Sequence, residues 1–363
     1  MLRDILQRNN QADQGMLQKL VLFLCSNIGC ITSPNSIGNV LSNEGDIPAV
    51  KGKNIASQTV DKYKGAFMGD TKVIFVGNYK GGVGKTTSVL NFAEHFTKMG
   101  KKVLVLDLDP QSSLSEILVS NNGGALNTLS DEMTLNYVFD LHISKVRKYN
   151  NIELKFKDNI IQTYQKRGYD FIASSLFYRE NLGLDELAIR MEDNIEYLSI
   201  LKGYLDSIIQ KKRYDFIIMD CPPSNNLITK SAFLISDYYI IPTILDKVSA
   251  NGVAHYIKTV NETYEQYCQK SEDSILARHY FGDKPKLLGV FCTFIRGQVN
   301  YKKEFTEMKA IVDTACKEEI FFFEEEVNNF IDIARSTEVG EASKARNDYE
   351  KLSKSVLEII NNV

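Results

Sequence analysis

One stretch of eight residues limits what this chain can fold into more than any other feature. Residues 80–87 read Lys-Gly-Gly-Val-Gly-Lys-Thr-Thr, and they closely follow a β-branched apolar run at residues 72–77. A helical pattern begins at about Lys85 and ends at Gly100. Glycines after a strand let backbone N–H groups curl around phosphate oxygens, and the N-terminus of the next helix adds partial positive charge. The segment therefore predicts a phosphate-binding loop between a buried strand and a helix.

The side chains of this loop indicate which phosphate compound it takes. In loops of this form, the lysine at position 85 meets the β- and γ-phosphates of a nucleotide, and the hydroxyl of Thr86 holds Mg²⁺. We expect the whole loop to contact the nucleotide, namely Lys80, Gly81, Gly82, Val83, Gly84, Lys85, Thr86 and Thr87.

Carboxylates close two other apolar runs. Asp107 and Asp109 end the run that begins at Lys102, and residues two apart on an extended chain point the same way. Beside a triphosphate, such a pair can hold Mg²⁺ through water and orient an attacking water. Asp220 follows the apolar residues 216–219, which is typical of a Walker B carboxylate near Mg²⁺. These carboxylates are the candidate metal and catalytic groups.

The order of apolar runs predicts the fold. Six runs are typical of buried strands, and helical patterns separate them: residues 72–77, 102–108, 170–173, 215–220, 238–242 and 286–293. This alternation predicts an α/β fold, a mostly parallel P-loop sheet with helices on both faces. Because 363 residues allow about two domains, we assign residues 71–363 to the P-loop domain and residues 1–70 to a small N-terminal helical region.

The loop differs from the general P-loop form at one position. Tyr79 stands where the first glycine is usual, and a second lysine, Lys80, follows it. With this deviant Walker A pattern, the chain resembles the ParA/MinD superfamily of P-loop ATPases. Residues 107–111 (Asp-Leu-Asp-Pro-Gln) and 220–223 (Asp-Cys-Pro-Pro) resemble two further elements of that family. Looser matches extend the resemblance over about residues 72–360.

The resemblance implies specific roles for the site residues. It implies ATP and Mg²⁺ as cofactors and an ATPase with a weak intrinsic rate. Lys80 would reach across an ATP-bridged homodimer to the partner's phosphates, and Asp109 would position the water, so both are the expected catalytic residues. Thr86, Asp107 and Asp220 would lie at the metal. The family often has an asparagine that helps to read adenine where this chain has Thr293, so the resemblance leaves the base preference open.

The opening Asn78-Tyr79-Lys80 is similar to that of partition ATPases, which segregate plasmids or chromosomes. This similarity implies a dimer that binds nonspecific DNA with ATP and leaves it when a ParB-like, DNA-bound partner stimulates hydrolysis. Two alternatives stay open. The chain could be a nucleotide-responsive transcription regulator acting through residues 1–70, or a MinD-like ATPase that positions a protein cargo.

Two regions are candidates for DNA contact. Residues 33–40 and 57–67 resemble the two helices of a helix-turn-helix or winged-helix unit, although their connection is longer than usual. An arm that packs or dimerises is the other interpretation of this region. The C-terminal third carries basic side chains among acidic ones, and a solvated mixed-charge face explains it equally well. These basic residues are Arg296, Lys302, Lys303, Lys309, Arg335, Lys344 and Arg346.

Composition excludes several classes of protein. The net charge of −3 does not fit a histone-like binder, and no apolar run approaches the ~20 residues of a membrane span. The six cysteines lack metal-site spacing, which favours a reduced, cytoplasmic protein, with Cys221 as a small buried residue. The resemblance to partition ATPases implies that the protein is nucleoid-associated. The last helix, residues 349–360, has one apolar face with few basic residues, so we expect it to pack on the domain and not on a membrane.

Overall fold

A computed structural model describes residues 70–148, 158–209, 211–293, 301–325 and 346–362, together with residues 154, 156 and 327. Except for Asp70, the N-terminal region of residues 1–70 lies outside the described residues. Its helices, its DNA-contacting role and its separation from the P-loop domain therefore stay predictions.

A seven-stranded sheet organises the described part, with strand order β3-β4-β2-β5-β1-β6-β7. Its strands are β1 (Lys72–Val76), β2 (Val103–Asp107), β3 (Gln162–Tyr164), β4 (Tyr169–Ile172), β5 (Phe216–Asp220), β6 (Tyr238–Ile244) and β7 (Lys286–Thr293). Every neighbouring pair is parallel except β3 and β4. The six strands expected from the sequence are present. The antiparallel edge strand β3 was missed, because its three residues, Gln-Thr-Tyr, carry no apolar run.

Helices connect the strands and cover the sheet. They are α1 (Lys85–Lys98), α2 (Ser113–Asn121), α3 (Leu135–Lys148), α4 (Leu184–Arg190), α5 (Ile195–Leu198), α6 (Ile200–Ile209), α7 (Leu227–Leu234), α8 (Lys247–Glu265), α9 (Ser274–Phe281), α10 (Tyr301–Cys316) and α11 (Arg346–Asn362). A short π-helical turn at Gln266–Lys270 extends α8.

Both faces of the sheet are buried. Val73 and Phe75 of β1 join one apolar cluster, and the alternate residues Ile74 and Val76 join another on the opposite face. The first cluster includes residues of α3, α6, α7 and α8, whereas the second includes residues of α1, α2 and α11. Such burial explains why the strands are apolar at nearly every position. The predicted α/β fold with helices on both faces is confirmed.

The C-terminal helix packs on α1, the helix that follows the phosphate loop. Its apolar face, Leu352, Val356 and Leu357, is buried. The Tyr349 hydroxyl lies 2.8 Å from the Ser88 hydroxyl on the first turn of α1. The expectation that this helix packs on the domain is confirmed. Among the described helices, none is long and apolar enough to cross a bilayer.

Candidate phosphate-binding site

The glycine-rich loop connects β1 to α1 at the carboxyl edge of the sheet. Gly82 and Gly84 have φ angles of 71° and 82°, a region that costs side-chain-bearing residues energy. A Cβ atom placed on Gly81 would meet no atom of the described residues within 4 Å, so this part of the chain leaves the loop open at that point. Gly84 caps α1, whose first turn contains no acidic side chain. The first-turn N–H groups of α1 therefore form a local anion site.

Lys85 places a positive charge beneath this loop. The residue is buried, and its Nζ donates to the backbone carbonyl of Lys80 at 3.2 Å. Burial lowers the pKa of Lys85, and the carboxylates of Asp220 and Asp109 oppose that shift. A buried ammonium gains from an anionic partner, because desolvation is costly unless the charge is paired. The arrangement is suited to a phosphate group.

Asp220 is the buried carboxylate of this site whose oxygens are available to bind a ligand. It ends β5 and is fully buried, and among the described residues neither of its carboxylate oxygens has a hydrogen-bond partner of normal geometry. Burial raises its pKa well above the ordinary value, Asp107 raises it further, and the nearby Thr86 hydroxyl lowers it. A buried carboxylate beside a threonine hydroxyl offers the oxygen ligands that Mg²⁺ prefers. The donor set therefore fits the magnesium ion that the sequence predicts.

The protein alone supplies few ligands for such an ion. Across the described ranges, no group of three His, Cys, Asp or Glu side chains is arranged to hold a metal. Mg²⁺ is commonly bound by one or two protein oxygens plus substrate phosphates and water. A cation next to Asp220 would therefore depend on oxygens of a bound nucleotide.

Asp107 and Asp109 lie at the end of β2, but their surroundings differ. Asp107 is buried and accepts hydrogen bonds from Ser115 N (2.8 Å), Ser115 Oγ (2.7 Å) and Asp109 N (3.1 Å). Burial raises the pKa of Asp107 to about 7, although the Ser115 bonds oppose the shift. Asp109 is partly exposed, and one of its oxygens accepts from Gln111 N at 2.9 Å. Asp107 thus joins β2 to α2, whereas Asp109 is accessible to solvent.

Lys80 is bonded within its own chain. Its Nζ lies 2.8 Å from Asp246 Oδ2 and 2.8 Å from Ser249 Oγ. Asp246 is the N-cap of α8 and accepts from Ser249 N at 2.7 Å. Sequence reasoning missed both partners. The only local signal was the helix-capping spacing of Asp246 and Ser249, which indicates a helix start and not a contact with Lys80.

Tyr79, the residue that replaces a glycine, packs against α8. Its ring lies 4.8 Å from that of Tyr256 in an edge-to-face arrangement and 5.7 Å from that of His255. Tyr256 in turn approaches Gly77, where an added Cβ would come within 2.0 Å of the tyrosine hydroxyl. The entry to the phosphate loop is therefore in direct contact with α8.

Thr293 points toward the phosphate loop. Its side chain is buried, and Oγ1 lies 3.0 Å from the carbonyl oxygens of Val83 and Thr243. The position considered for adenine reading thus contacts loop backbone in this chain. Cys221 is fully buried, and burial raises the pKa of its thiol well above the ordinary value. The prediction of a small buried residue at position 221 is confirmed.

Two of the described basic residues of the C-terminal set have acidic partners. Lys309 pairs with Glu319 at 2.8 Å, and Lys303 lies 3.9 Å from Glu307. Lys302 is exposed on the same helix, α10. The side chains of the remaining members, Arg296, Arg335, Lys344 and Arg346, lie outside the described residues. DNA contact by this surface stays a prediction.

Comparison with known proteins places this site in a family. The family model described as "AAA domain" matches residues 71–272, which is more than half of the chain. The chain belongs to this family, and its class is that of the ParA/MinD-type P-loop ATPases. It is 30% identical over 189 residues to the sporulation initiation inhibitor protein Soj of Bacillus subtilis, covering 52% of this chain and 64% of Soj. The chain spans about three fifths of the length of the curated relatives it matches first.

Solved structures show the same fold. A putative plasmid partition protein from Borrelia burgdorferi bound to AMPPNP is similar with a TM-score of 0.55 and 20% identity, over 80% of this chain and 99% of that one. Cobyrinic acid a,c-diamide synthase from Mycobacterium smegmatis, with bound ADP and magnesium, has a TM-score of 0.55 and 20% identity, over 80% and 96% of the two chains. At this level of identity, the likeness concerns the fold alone.

Proposed function

We propose that this protein is a partition ATPase that binds and hydrolyses ATP with Mg²⁺ and links nucleotide state to DNA binding. One observation carries the proposal: the buried carboxylate of Asp220, which has no hydrogen bond of normal geometry within the described part of the chain, lies with Thr86 and the buried ammonium of Lys85 under an open glycine loop. These groups match what a magnesium nucleotide presents, namely anionic oxygens and a hard cation. Curated relatives described as chromosome-partitioning proteins support the cellular role.

The residues would divide the work as follows. Loop N–H groups and Lys85 would hold the β- and γ-phosphates, and Thr86 with Asp220 would hold Mg²⁺. Mg²⁺, when bound, supplies neutralisation of charge on the phosphates. Asp109 is partly exposed and close enough to influence Lys85, so it would orient the attacking water. Asp107, whose oxygens Ser115 and Asp109 already occupy, would act by fixing the end of β2.

Dimerisation through ATP would require a rearrangement of Lys80. In this structure its ammonium is bonded to Asp246 and Ser249 of the same chain. To reach the phosphates of a partner, Lys80 has to leave Asp246. The ATP-bound dimer would then bind nonspecific DNA, and hydrolysis stimulated by a ParB-like, DNA-bound protein would release it.

Binding to random-sequence duplex DNA tests this function. The full chain is measured with ATP, with ADP and without nucleotide, each over a series of salt concentrations, with the Lys85→Ala variant as control. We expect ATP-dependent binding that weakens steeply with salt, because phosphate contacts release counterions. Lys85→Ala should behave as the nucleotide-free protein. Binding that is the same in all three nucleotide states, or absent from all of them, would refute the nucleotide-switched DNA role.

A further inference from the structure

Two buried polar side chains fix the phosphate loop to the end of β6. Thr293, the last residue of β7, places its hydroxyl 3.0 Å from Val83 O in the loop and 3.0 Å from Thr243 O in β6. Asn78 donates from Nδ2 to Pro242 O at 2.9 Å and accepts from Lys80 N at 3.0 Å. The two contacts on β6 are therefore consecutive carbonyl groups. The entry of the loop is therefore bonded directly to the end of β6, and the middle of the loop is linked to the same segment through Thr293.

The loop needs such contacts because of how it binds anions. Its N–H groups can face a phosphate only if its carbonyl groups turn away from it. Val83 is wholly buried, and its neighbours Gly82 and Gly84 both have left-handed backbone. Its carbonyl group is therefore inside the protein and away from water. A buried carbonyl without a donor is unfavourable. The Thr293 hydroxyl supplies a donor for this carbonyl, and its single proton is shared between Val83 O and Thr243 O.

We propose that Thr293 is a positioning residue for nucleotide binding, which acts by holding the Val83 carbonyl so that the loop keeps its phosphate-binding shape. The proposal rests on the nucleotide-binding function proposed above. The hydroxyl of Thr293 carries the role and its methyl group does not. Because that hydroxyl is occupied by backbone carbonyl groups, it takes no part in reading the base.

The test compares Thr293→Val with Thr293→Ser and the unchanged chain. Valine has nearly the shape of threonine but lacks the hydroxyl, whereas serine retains it. Affinity for MgATP and the thermal midpoint without nucleotide are measured for each. Thr71→Val is the matched control, because the buried Thr71 hydroxyl also makes a long-range bond, to Tyr214 O at 2.7 Å, at the opposite end of β1.

We expect Thr293→Val to weaken MgATP binding at least tenfold, and Thr293→Ser and Thr71→Val to stay within threefold of the unchanged chain. A purely structural role would lower the thermal midpoint of both valine variants and leave affinity intact. Thr293→Val binding MgATP as tightly as the unchanged chain would overturn the proposal.

Two further outcomes are informative. If Thr293→Val does not fold, Thr293→Ala removes the same hydroxyl without adding a methyl group and is judged by the same criterion. Failure of both to fold would make Thr293 a structural residue and would also overturn the proposal. If the unchanged chain itself binds no MgATP, the proposed function fails first, and this result is distinct from a failure of the Thr293 assignment.

Discussion

The contact between Lys80 and Asp246 allows a specific prediction. In the proposed ATP-bridged dimer, Lys80 would have to leave Asp246 to reach the phosphates of the partner's nucleotide. Asp246→Asn removes the negative charge but preserves the N-cap of α8, since asparagine is also a strong helix N-cap. Ser249 N can still donate to the asparagine side-chain oxygen, as it now donates to Asp246 Oδ1 at 2.7 Å. The substitution therefore weakens one interaction of Lys80 with little effect on α8.

The size of the effect follows from how exposed the pair is. The side chains of Lys80 and Asp246 are 34% and 38% exposed. Burial raises the pKa of Asp246, but the bonds from Lys80 and Ser249 lower it more, and the net pKa is below the ordinary value. The carboxylate is thus ionised at neutral pH. Exposed ion pairs are worth about 0.2–1 kcal/mol, so releasing Lys80 should favour any state that uses it elsewhere by a factor of about 1.4–5.

ATP-dependent dimerisation, measured by analytical ultracentrifugation, is the suitable assay. Because each protomer of the dimer would release one Lys80, the two factors multiply, and we expect the Asp246→Asn dimer to form at about 2–25-fold lower protein concentration than the unchanged dimer. The difference should shrink at high salt as the pair is screened. Glu350→Gln is the matched control, because Glu350 pairs with Lys354 at 2.7 Å on α11, outside the phosphate site. Equal or weaker dimerisation of Asp246→Asn would refute the idea that Asp246 restrains Lys80.

Three further predictions follow from the described side chains. Lys85→Ala should abolish the rise in thermal midpoint that MgATP gives the unchanged chain, because it removes the buried ammonium under the loop; an intact rise would exclude Lys85 from binding. Asp109→Ala should bind ATP and dimerise but not hydrolyse, and an unchanged turnover rate would remove Asp109 from the site. Burial lowers the pKa of His142 to about 4, so the unfolded chain binds the proton first as pH falls below about 6.5. The free energy of unfolding should therefore fall by about 1–3 kcal/mol between pH 6.5 and 4. We expect a value near the lower end, because His142 is partly exposed. In denaturant unfolding, His142→Phe should make the free energy of unfolding depend less on pH over this range.

Local patterns were enough to predict the sheet and the loop. The strands of the parallel part are buried on both faces, so each left an apolar run that is visible in the sequence. The glycines of the phosphate loop, Lys85 and Thr86 are adjacent in the chain, and their chemistry is determined by that adjacency. Asp220 was predictable because it directly follows a buried strand.

The contacts that fix the loop were not predictable in the same way. Lys80 and Asp246 are 166 positions apart, and Thr293 is 210 positions from Val83. Each contact depends on the order of strands in the sheet, since β6 lies beside β1, and β7 beside β6, only in the folded protein. An Asp at a helix start and a Thr at a strand end are common residues in common places. Their roles become visible only when the sheet brings them to the loop.

The end of β6 is where these long-range contacts meet. Pro242 and Thr243 accept the bonds from Asn78 and Thr293, and Asp246, a few residues on, holds Lys80. The segment that fixes the phosphate loop in this structure therefore also holds Lys80, the lysine that would have to move to form the proposed dimer. Asp246 caps α8 through the bond from Ser249 N, which does not involve Lys80, and the bonds of Asn78 to Pro242 O and of Thr293 to Val83 O do not involve the Lys80 ammonium either. In the proposed function, this separation of a fixed loop from a releasable lysine would make nucleotide binding and dimerisation two distinct steps, and the Thr293 and Asp246 variants should affect them separately.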